Sequence, residues 1–328
     1  MKRTGNLIER IADCDNLHLA FIKSCRGKQC KAEVIRFRER YDDNIRSIRD
    51  ALLAGNVAVG DYNYFTIHDP KERLICAASF RERVLHHAIM NVCHDIFDRS
   101  LIYDTYATRR GKGVYAALDR AVKGASRYRY MVKLDYRKYF DSIDHEILKR
   151  QLSRLFKDKG LLTLLASVVD SYSTVPGKGV PIGNLTSQYF ANHYLSGLDH
   201  RMKECVRVPV YIRYMDDVLM MDDDRMRLRD AVGEMTGYSE TELSLRLKTP
   251  VYRCCDNGMP FLGYVVRPHC LTLSGRSKRR FRKKIESCRV KYETGELGEG
   301  EYASHLLPLL AFVRHARCRK FRETCIVR

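Results

Sequence analysis

The chain has 328 residues, 45% of them hydrophobic, which is enough for two or three subdomains and a substantial core. Lys and Arg number 59 against 40 Asp and Glu, a net charge of +19, so the expected partner is a polyanion: nucleic acid or an anionic membrane surface. No apolar run approaches the ~18–20 residues that span a bilayer. The N-terminal MKRTGNLIERIADCDN also lacks the apolar core of a signal peptide, so nucleic acid is favoured and the expected location is the cytoplasm.

Twelve cysteines are scattered without a CxxC pair, which argues against a zinc ribbon and for reduced thiols. Residues 1–60 read as a helical segment. Glu33 to Leu53 places Ile35, Phe37, Tyr41, Ile45, Ile48 and Leu52 near helical spacing. The period then changes, and Tyr64–Ile67 and Arg73–Cys76 flank Asp69-Pro70 as a hairpin. Lys71 and Arg73 follow that turn; taken alone, they read as the charges that protect an edge strand. Phe80 to Phe97 is helical, and its His86, His87 and His94 have no acidic or Cys partner at ligand spacing, so they read as packing or surface residues.

In TYATRRGKGVYAAL, Arg109, Arg110 and Lys112 surround Gly111 and Gly113 ahead of a helix, an arrangement suited to phosphate. Tyr130 to His145 begins as an apolar strand that ends at Asp135, and Ser142 or Asp144 caps the following helix. Val180 to Leu198 opens with Pro181 and Gly183 and runs into a helix. In VPVYIRYMDDVLMMDDD, two strand-like runs flank Asp216 and Asp217. Asp-Asp is poor turn chemistry, and adjacent carboxylates repel unless a cation sits with them. A divalent metal site and a solvated acidic turn both fit that spacing alone. A helix from Arg225 to Thr236 and an edge segment with Lys248 follow, then a compact apolar turn, Phe261-Leu262-Gly263-Tyr264. Arg276 to Lys284 carries seven cations in nine residues and reads as a helix lying along nucleic-acid backbone or as a solvated face. Pro308 is expected to kink or restart the last helical segment.

These pieces resemble, in order, the palm of reverse transcriptases: Asp135 at a strand end, a Gly-containing segment, YMDD at Tyr214–Asp217 and the FLGY turn. The resemblance covers roughly Tyr62 to Tyr264. Within that family, Ile182-Gly183-Asn184-Leu185-Thr186-Ser187-Gln188 has the IGxxxSQ form of enzymes from diversity-generating retroelements, where most relatives begin with Gln and end Ser-Pro. DPKERLICA, FRERVLHHA, YATRRGKG and SHLLPLLAFVRHA are similar to that subfamily too. The 64 residues after Tyr264 suffice for a thumb but not for an RNase H or endonuclease domain.

The resemblance implies an α+β right-hand polymerase with fingers and palm over 61–268 and a short, basic helical thumb over 269–328, preceded by the N-terminal helices. It implies an RNA-directed DNA polymerase that copies a template-repeat RNA into cDNA from dNTPs, with errors at template adenines, to diversify a protein-coding gene by mutagenic retrohoming. Asp135 and Asp216 would hold two Mg²⁺ ions, with Mn²⁺ as a substitute, supported by Asp217 and the Tyr136 carbonyl. Lys71 and Arg73 would hold the triphosphate, and Phe140 would stack under the incoming sugar and reject a 2′-OH. Ile182, Gly183 and Gln188 would shape the nucleotide pocket. Lys248 would protonate the leaving pyrophosphate, with Arg246 near enough to compete. Arg109, Lys112, the Phe261–Tyr264 turn, and Arg276, Lys278, Arg279, Arg280 and Lys283 would contact template and primer. A small, basic, oligomeric accessory variability protein is the implied partner. The alternatives are a reverse transcriptase of retron or group II intron type, or a non-catalytic RNA-binding protein on the same scaffold.

Overall fold

The computed structural model describes residues 3–68 and 72–326, so the expectations for Asp69, Pro70 and Lys71 lie outside the described residues. In chain order it contains α1 (Ile8–Ile11), α2 (Cys14–Cys25), α3 (Ala32–Glu39), α4 (Tyr41–Ala54), β1 (Tyr62–Ile67), β2 (Arg73–Ala78), α5 (Phe80–Arg99), α6 (Val114–Ala125), β3 (Tyr130–Leu134), α7 (Tyr139–Ser142), α8 (His145–Leu155) and α9 (Lys159–Asp170). There follow α10 (Leu185–Tyr194), α11 (Ser196–His200), β4 (Val210–Tyr214), β5 (Asp217–Asp222), α12 (Arg225–Thr241), β6 (Val251–Cys254), β7 (Met259–Phe261), β8 (Tyr264–Arg267), β9 (Cys270–Leu273), α13 (Gly275–Glu293), α14 (Glu299–Arg314) and α15 (Arg319–Ile326). The chain divides into two compact units, one made of Met1–Tyr103, Tyr136–Arg201 and Thr236–Arg246, the other of Asp104–Asp135, Met202–Met235 and Leu247–Arg328.

The first unit is mainly helical. Phe21, Phe37 and Phe80 form an aromatic cluster with ring centroids 5.1–6.0 Å apart, joining α2, α3 and α5. The stretch expected to be one helix from Glu33 to Leu53 is two, because the chain leaves helical geometry at Arg40 (φ −123°, ψ 44°). The N-terminal helices are tied to the rest of the first unit. Thr4 exchanges backbone hydrogen bonds with Leu155 (3.1 Å) and Lys157 (2.8 Å), and Asn16 Nδ2 donates to Ala88 O at 3.1 Å. His86 is buried beside Glu82 at 3.4 Å, and the other oxygen of Glu82 accepts the Gly60 (3.0 Å) and Asp61 (3.1 Å) amides where the chain enters β1. Asp144, not Ser142, caps α8, with Oδ1 3.1 Å from both the Glu146 and Ile147 amides.

The second unit is built on an antiparallel four-stranded sheet ordered β4-β5-β3-β6. Side chains alternate across it, so Met131, Leu219, Met221, Val210 and Ile212 share the core with Leu118 and Ala121 of α6. A three-stranded sheet, β7-β8-β9, adds Phe261, Tyr264, Val266 and Leu273 to that core, along with Phe281 of α13 and Val313 of α14. The expected boundary at 268/269 therefore cuts the β8–β9 hairpin, and the basic helix begins only at Gly275. Helix α14 runs through Pro308 as one element.

Helix α6 comes close to the sheet at Gly124, where a Cβ would stand 2.7 Å from Met221 Sδ and 3.1 Å from Val210 Cγ1. Gly124→Val should therefore destabilise the second unit by about 1–3 kcal/mol in urea unfolding. Unfolding at the wild-type midpoint would show that the sheet yields there freely.

Candidate active site

The β4–β5 hairpin forms as its two apolar runs imply, but its connection is shifted by one residue. Tyr214 pairs with Asp217, so Met215 and Asp216 make the turn and Asp217 is the first residue of β5. Met215 has φ +55°, a left-handed conformation that strains a side chain other than Gly by about 1–2 kcal/mol. The turn thus contains one of the paired carboxylates, and the second belongs to the sheet.

Register then brings in Asp135. Strand β3 pairs with β5 up to Leu134↔Val218, so the next residue, Asp135, stands across from Asp217. Both lie on the face that carries Met131, Leu219 and Met221, one step beyond the core. Asp216 and Asp135 are 81 residues apart in the chain, and only strand pairing makes them neighbours. Partial burial, then the negative charges of Asp217 and Asp135, push the Asp216 carboxyl up to about 6 from the usual carboxylate range.

Two lysines answer two of these charges. Lys248 Nζ lies 2.5 Å from Asp135 Oδ2, and its backbone amide donates to Asp135 O at 2.8 Å. Lys133, diagonal to Asp217 across the β3–β5 ladder, reaches its Oδ1 at 3.0 Å. Among the described residues no ion pair reaches Asp216, and no three His, Cys, Asp or Glu side chains converge as a ready metal cage. The donor set nevertheless suits a hard divalent cation, being three carboxylate groups at one strand edge whose mutual repulsion a cation would relieve.

The residues expected to shape a nucleotide pocket lie in the first unit. Strand β2 donates its Cys76 amide to Ile182 O at 2.9 Å and its Ala78 amide to Asn184 Oδ1 at 3.0 Å, so Ile182–Asn184 runs along the β2 edge. Between them Gly183 has φ +125°, and a Cβ there would stand 2.9 Å from Ile75 Cγ2, so the close approach requires glycine. Phe140 is brought near by its carbonyl, which accepts the Val180 amide at 2.9 Å, two residues before Ile182. Ile182 and Phe140 are half-buried; Gln188, on α10, and Arg73, at the end of β2, are exposed. The Tyr136 ring is buried, with its hydroxyl 3.0 Å from Ser239 Oγ.

A cavity of about 960 Å³ in this unit is lined by Arg137, Lys138, Lys178 and Arg246, with Asp141 and Glu240 opposing them. Burial lifts the Asp141 carboxyl above its usual range, an effect that Lys138 opposes. Apart from Arg246, the sequence reading missed this basic wall. Its one local signal is the pair of cations directly after Tyr136, the second of which adopts φ +43°.

Several expected template–primer contacts are otherwise engaged. The Phe261 and Tyr264 rings are core residues, and Tyr264 donates its hydroxyl to Phe312 O at 2.7 Å. Contact through this turn is left to Leu262 and Gly263, whose φ values of +48° and +90° make a tight hairpin and keep Gly263 exposed. Lys278 and Arg282 sit over the Phe321 ring, 5.6 and 5.1 Å from its centroid, so Lys278 faces α15. Arg276, Arg279 and Lys283 share an exposed face of α13 at helical spacing, and Arg280 is half-buried. Arg109 donates to Thr105 O at 3.1 Å and Lys112 lies 4.9 Å from the Tyr106 centroid, so both help to hold their own loop, while Arg110 is exposed.

Comparison with known proteins identifies the family. Residues 68–266 match the family described as reverse transcriptase (RNA-dependent DNA polymerase). Protein YkfC of Escherichia coli K12 is 25% identical over 269 residues, covering 67% of this chain and 70% of that one. A putative COX1/OXI3 intron 1 protein of Saccharomyces cerevisiae is 21% identical over 216 residues, 62% of this chain but only 26% of the yeast protein. Among solved structures, apo telomerase from Candida tropicalis truncated from its C-terminal domain superposes with a TM-score of 0.50 at 12% identity, over 66% of this chain and 55% of that chain, a likeness of fold. No described helix is long and apolar enough to cross a membrane. With three carboxylates set by strand register at a hairpin tip and a family match over more than half its length, the chain belongs to the reverse transcriptase (RNA-dependent DNA polymerase) family.

Proposed function

We propose that this chain is the error-prone reverse transcriptase of a diversity-generating retroelement, copying a template-repeat RNA into cDNA. The observation that supports the polymerase chemistry is the meeting of Asp135, Asp216 and Asp217 at one strand edge, where burial and then the two neighbouring charges raise the Asp216 carboxyl to about 6. Such crowding is relieved when cations are bound and is unfavourable otherwise. Asp135 and Asp216 would hold two Mg²⁺ ions, or Mn²⁺ in their place, with Asp217 and the Tyr136 carbonyl in support. Bound there, the pair lowers the pKa of a primer 3′-OH and neutralises the triphosphate.

The chain's own residues do the rest. Lys248 now neutralises Asp135; released from it, the ammonium group is the proton donor for leaving pyrophosphate. Arg73 and Lys71 grip the triphosphate. Phe140 lies under the sugar and excludes a 2′-OH by shape. Arg276, Arg279 and Lys283 track the template–primer backbone from one helix face, with Arg280, Arg109 and Lys112 as auxiliary contacts. A small, basic, oligomeric accessory variability protein completes the reading.

The subtype rests on Ile182 and Gln188. The Ile182 carbonyl is already bonded to Cys76, so that residue offers a nucleotide only the shape of an apolar side chain. Discrimination by shape is limited to about 1–3 kcal/mol, which suits a low-fidelity enzyme. The name of the yeast intron 1 relative also fits a second reading, a group II intron type enzyme, but no better than the first. Finding a pair of genomic repeats that differ only at adenines beside this gene would decide for the first.

On a primed RNA template with Mg²⁺ and dNTPs, wild type should extend the primer and Asp216→Asn should lose roughly a hundredfold or more. Equal inactivity of both, with cognate RNA and accessory protein supplied, removes the polymerase reading. The same variant has a stability signature. Between the unfolded carboxylate value and about 6, the folded state binds the Asp216 proton more tightly, so in chelator this contribution to stability falls as pH rises through that window. At pH 7 in EDTA, Asp216→Asn should therefore be more stable than wild type by on the order of 1–2 kcal/mol after solvent screening. Added Mg²⁺ should stabilise only the wild type, and calorimetry reads both effects. In the nucleotide pocket, Ile182→Gln should lower misincorporation opposite template adenine by about tenfold or more in single-nucleotide extension. An unchanged error spectrum across all four template bases removes the assignment of Ile182.

A further inference from the structure

Strand β4 reads Val-Tyr-Ile-Arg-Tyr, and its arginine is the feature that the chemistry above leaves unused. Arg213 is 0% exposed and is the largest of the fully buried side chains. A buried guanidinium is expensive, and in a strand this apolar Leu or Met would fill the volume without that penalty. Its backbone is fixed on both edges: it pairs with Val218 of β5, its amide donates to Asp104 O at 3.0 Å, and its carbonyl accepts the Tyr106 amide at 2.9 Å. From that fixed position, Nη1 reaches forward two residues to donate to Met215 O at 2.9 Å. Met215 is the turn residue at φ +55°, and its carbonyl belongs to the peptide that leads into Asp216.

We infer that Arg213 is a positioning residue for the catalytic turn: its buried guanidinium locks the Met215–Asp216 peptide and so fixes where the Asp216 carboxylate stands. The turn needs a lock for two reasons on either side of that peptide. Met215 holds a backbone conformation that L side chains disfavour, and the Asp216 carboxylate shares its strand edge with those of Asp217 and Asp135, whose like charges repel it. A charge-assisted hydrogen bond to the carbonyl between them opposes both tendencies at one atom. The inference deepens the proposed polymerase function and rests on it for the role of Asp216, although the lock itself is a property of the folded chain alone.

If Arg213 acts by holding Met215 in the left-handed region, its removal should matter less when glycine, which adopts that region without strain, stands at 215. The test is a cycle of wild type, Arg213→Met, Met215→Gly and the double variant, with Arg213→Lys as a conservative arm that folds more readily. Hydrogen exchange of the 214–218 amides, without metal or substrate, should quicken by about tenfold or more in Arg213→Met but by less than about threefold when Gly is at 215. Arg213→Lys, which keeps a charged donor, should show a smaller quickening with the same dependence on residue 215. Primer extension should follow, with kcat reduced about tenfold and the KM for dNTP moved less than about twofold. Equal quickening with Met or Gly at 215, or none in either, overturns the inference; should Arg213→Met not fold, the Lys arm decides on the same criterion. Wild type that fails to incorporate dNTPs overturns the polymerase reading instead, and the exchange data still decide the role of Arg213.

Discussion

The pairing of β3 with β5 is the constraint on which the site depends. Leu134 opposite Val218 places Asp135 opposite Asp217, and the turn between β4 and β5 adds Asp216. Three carboxylates are thereby gathered at the end of a hydrophobic sheet, where burial and then the charges of Asp217 and Asp135 raise the proton affinity of Asp216. A one-residue slip of β3 would turn Asp135 and Met131 to the opposite face together, so the same apolar contacts that stabilise the sheet also enforce the charge crowding. The core under α6 therefore stands in for specific contacts among the aspartates themselves.

The protein manages this repulsion unevenly. Lys248 neutralises Asp135 and Lys133, on β3 itself, neutralises Asp217, and Asp216 keeps its high proton affinity. A uniformly paired cluster would be more stable and less able to take up a cation. Here the ammonium groups hold two carboxylates in place while a third stays poised, and this agrees with a family whose chemistry is nucleotidyl transfer. Within the first unit the same economy of means appears in backbone form. Ile182 and Asn184 dock on β2 through one carbonyl and one side-chain oxygen, and Gly183 removes the Cβ that would keep them apart.

Much of this was legible in the chain. The change from helical period to alternating period, the apolar run ending at Asp135 and the two runs around YMDD mark strands because side-chain period follows backbone geometry. What escaped was decided by local detail or by distant packing. The turn shifted from Asp216-Asp217 to Met215-Asp216 because pairing of Tyr214 with Asp217 takes precedence over turn chemistry. The Glu33–Leu53 stretch keeps its apolar spacing across Arg40, so periodicity could not reveal the break between α3 and α4. The Phe261–Tyr264 turn reads as a primer grip, but the Phe261 and Tyr264 rings are buried in the core, a fate that only packing decides. The same holds for Lys278, whose turn toward Phe321 depends on α15, an element that the basic run itself does not announce.

By itself the sequence determined the inventory: which residues are chemically able to hold cations and phosphate, in what order they occur, and which strands and helices carry them, because these follow from residue type and short-range spacing. Tertiary structure alone decided which of them meet. Asp135 and Asp216 are separated by 81 residues and join only through strand register, and Arg213 is buried only by the packing of the sheet around it. The physical reason is common to both cases. Register and burial are set by the whole core, and no window of sequence contains enough of that core to fix them.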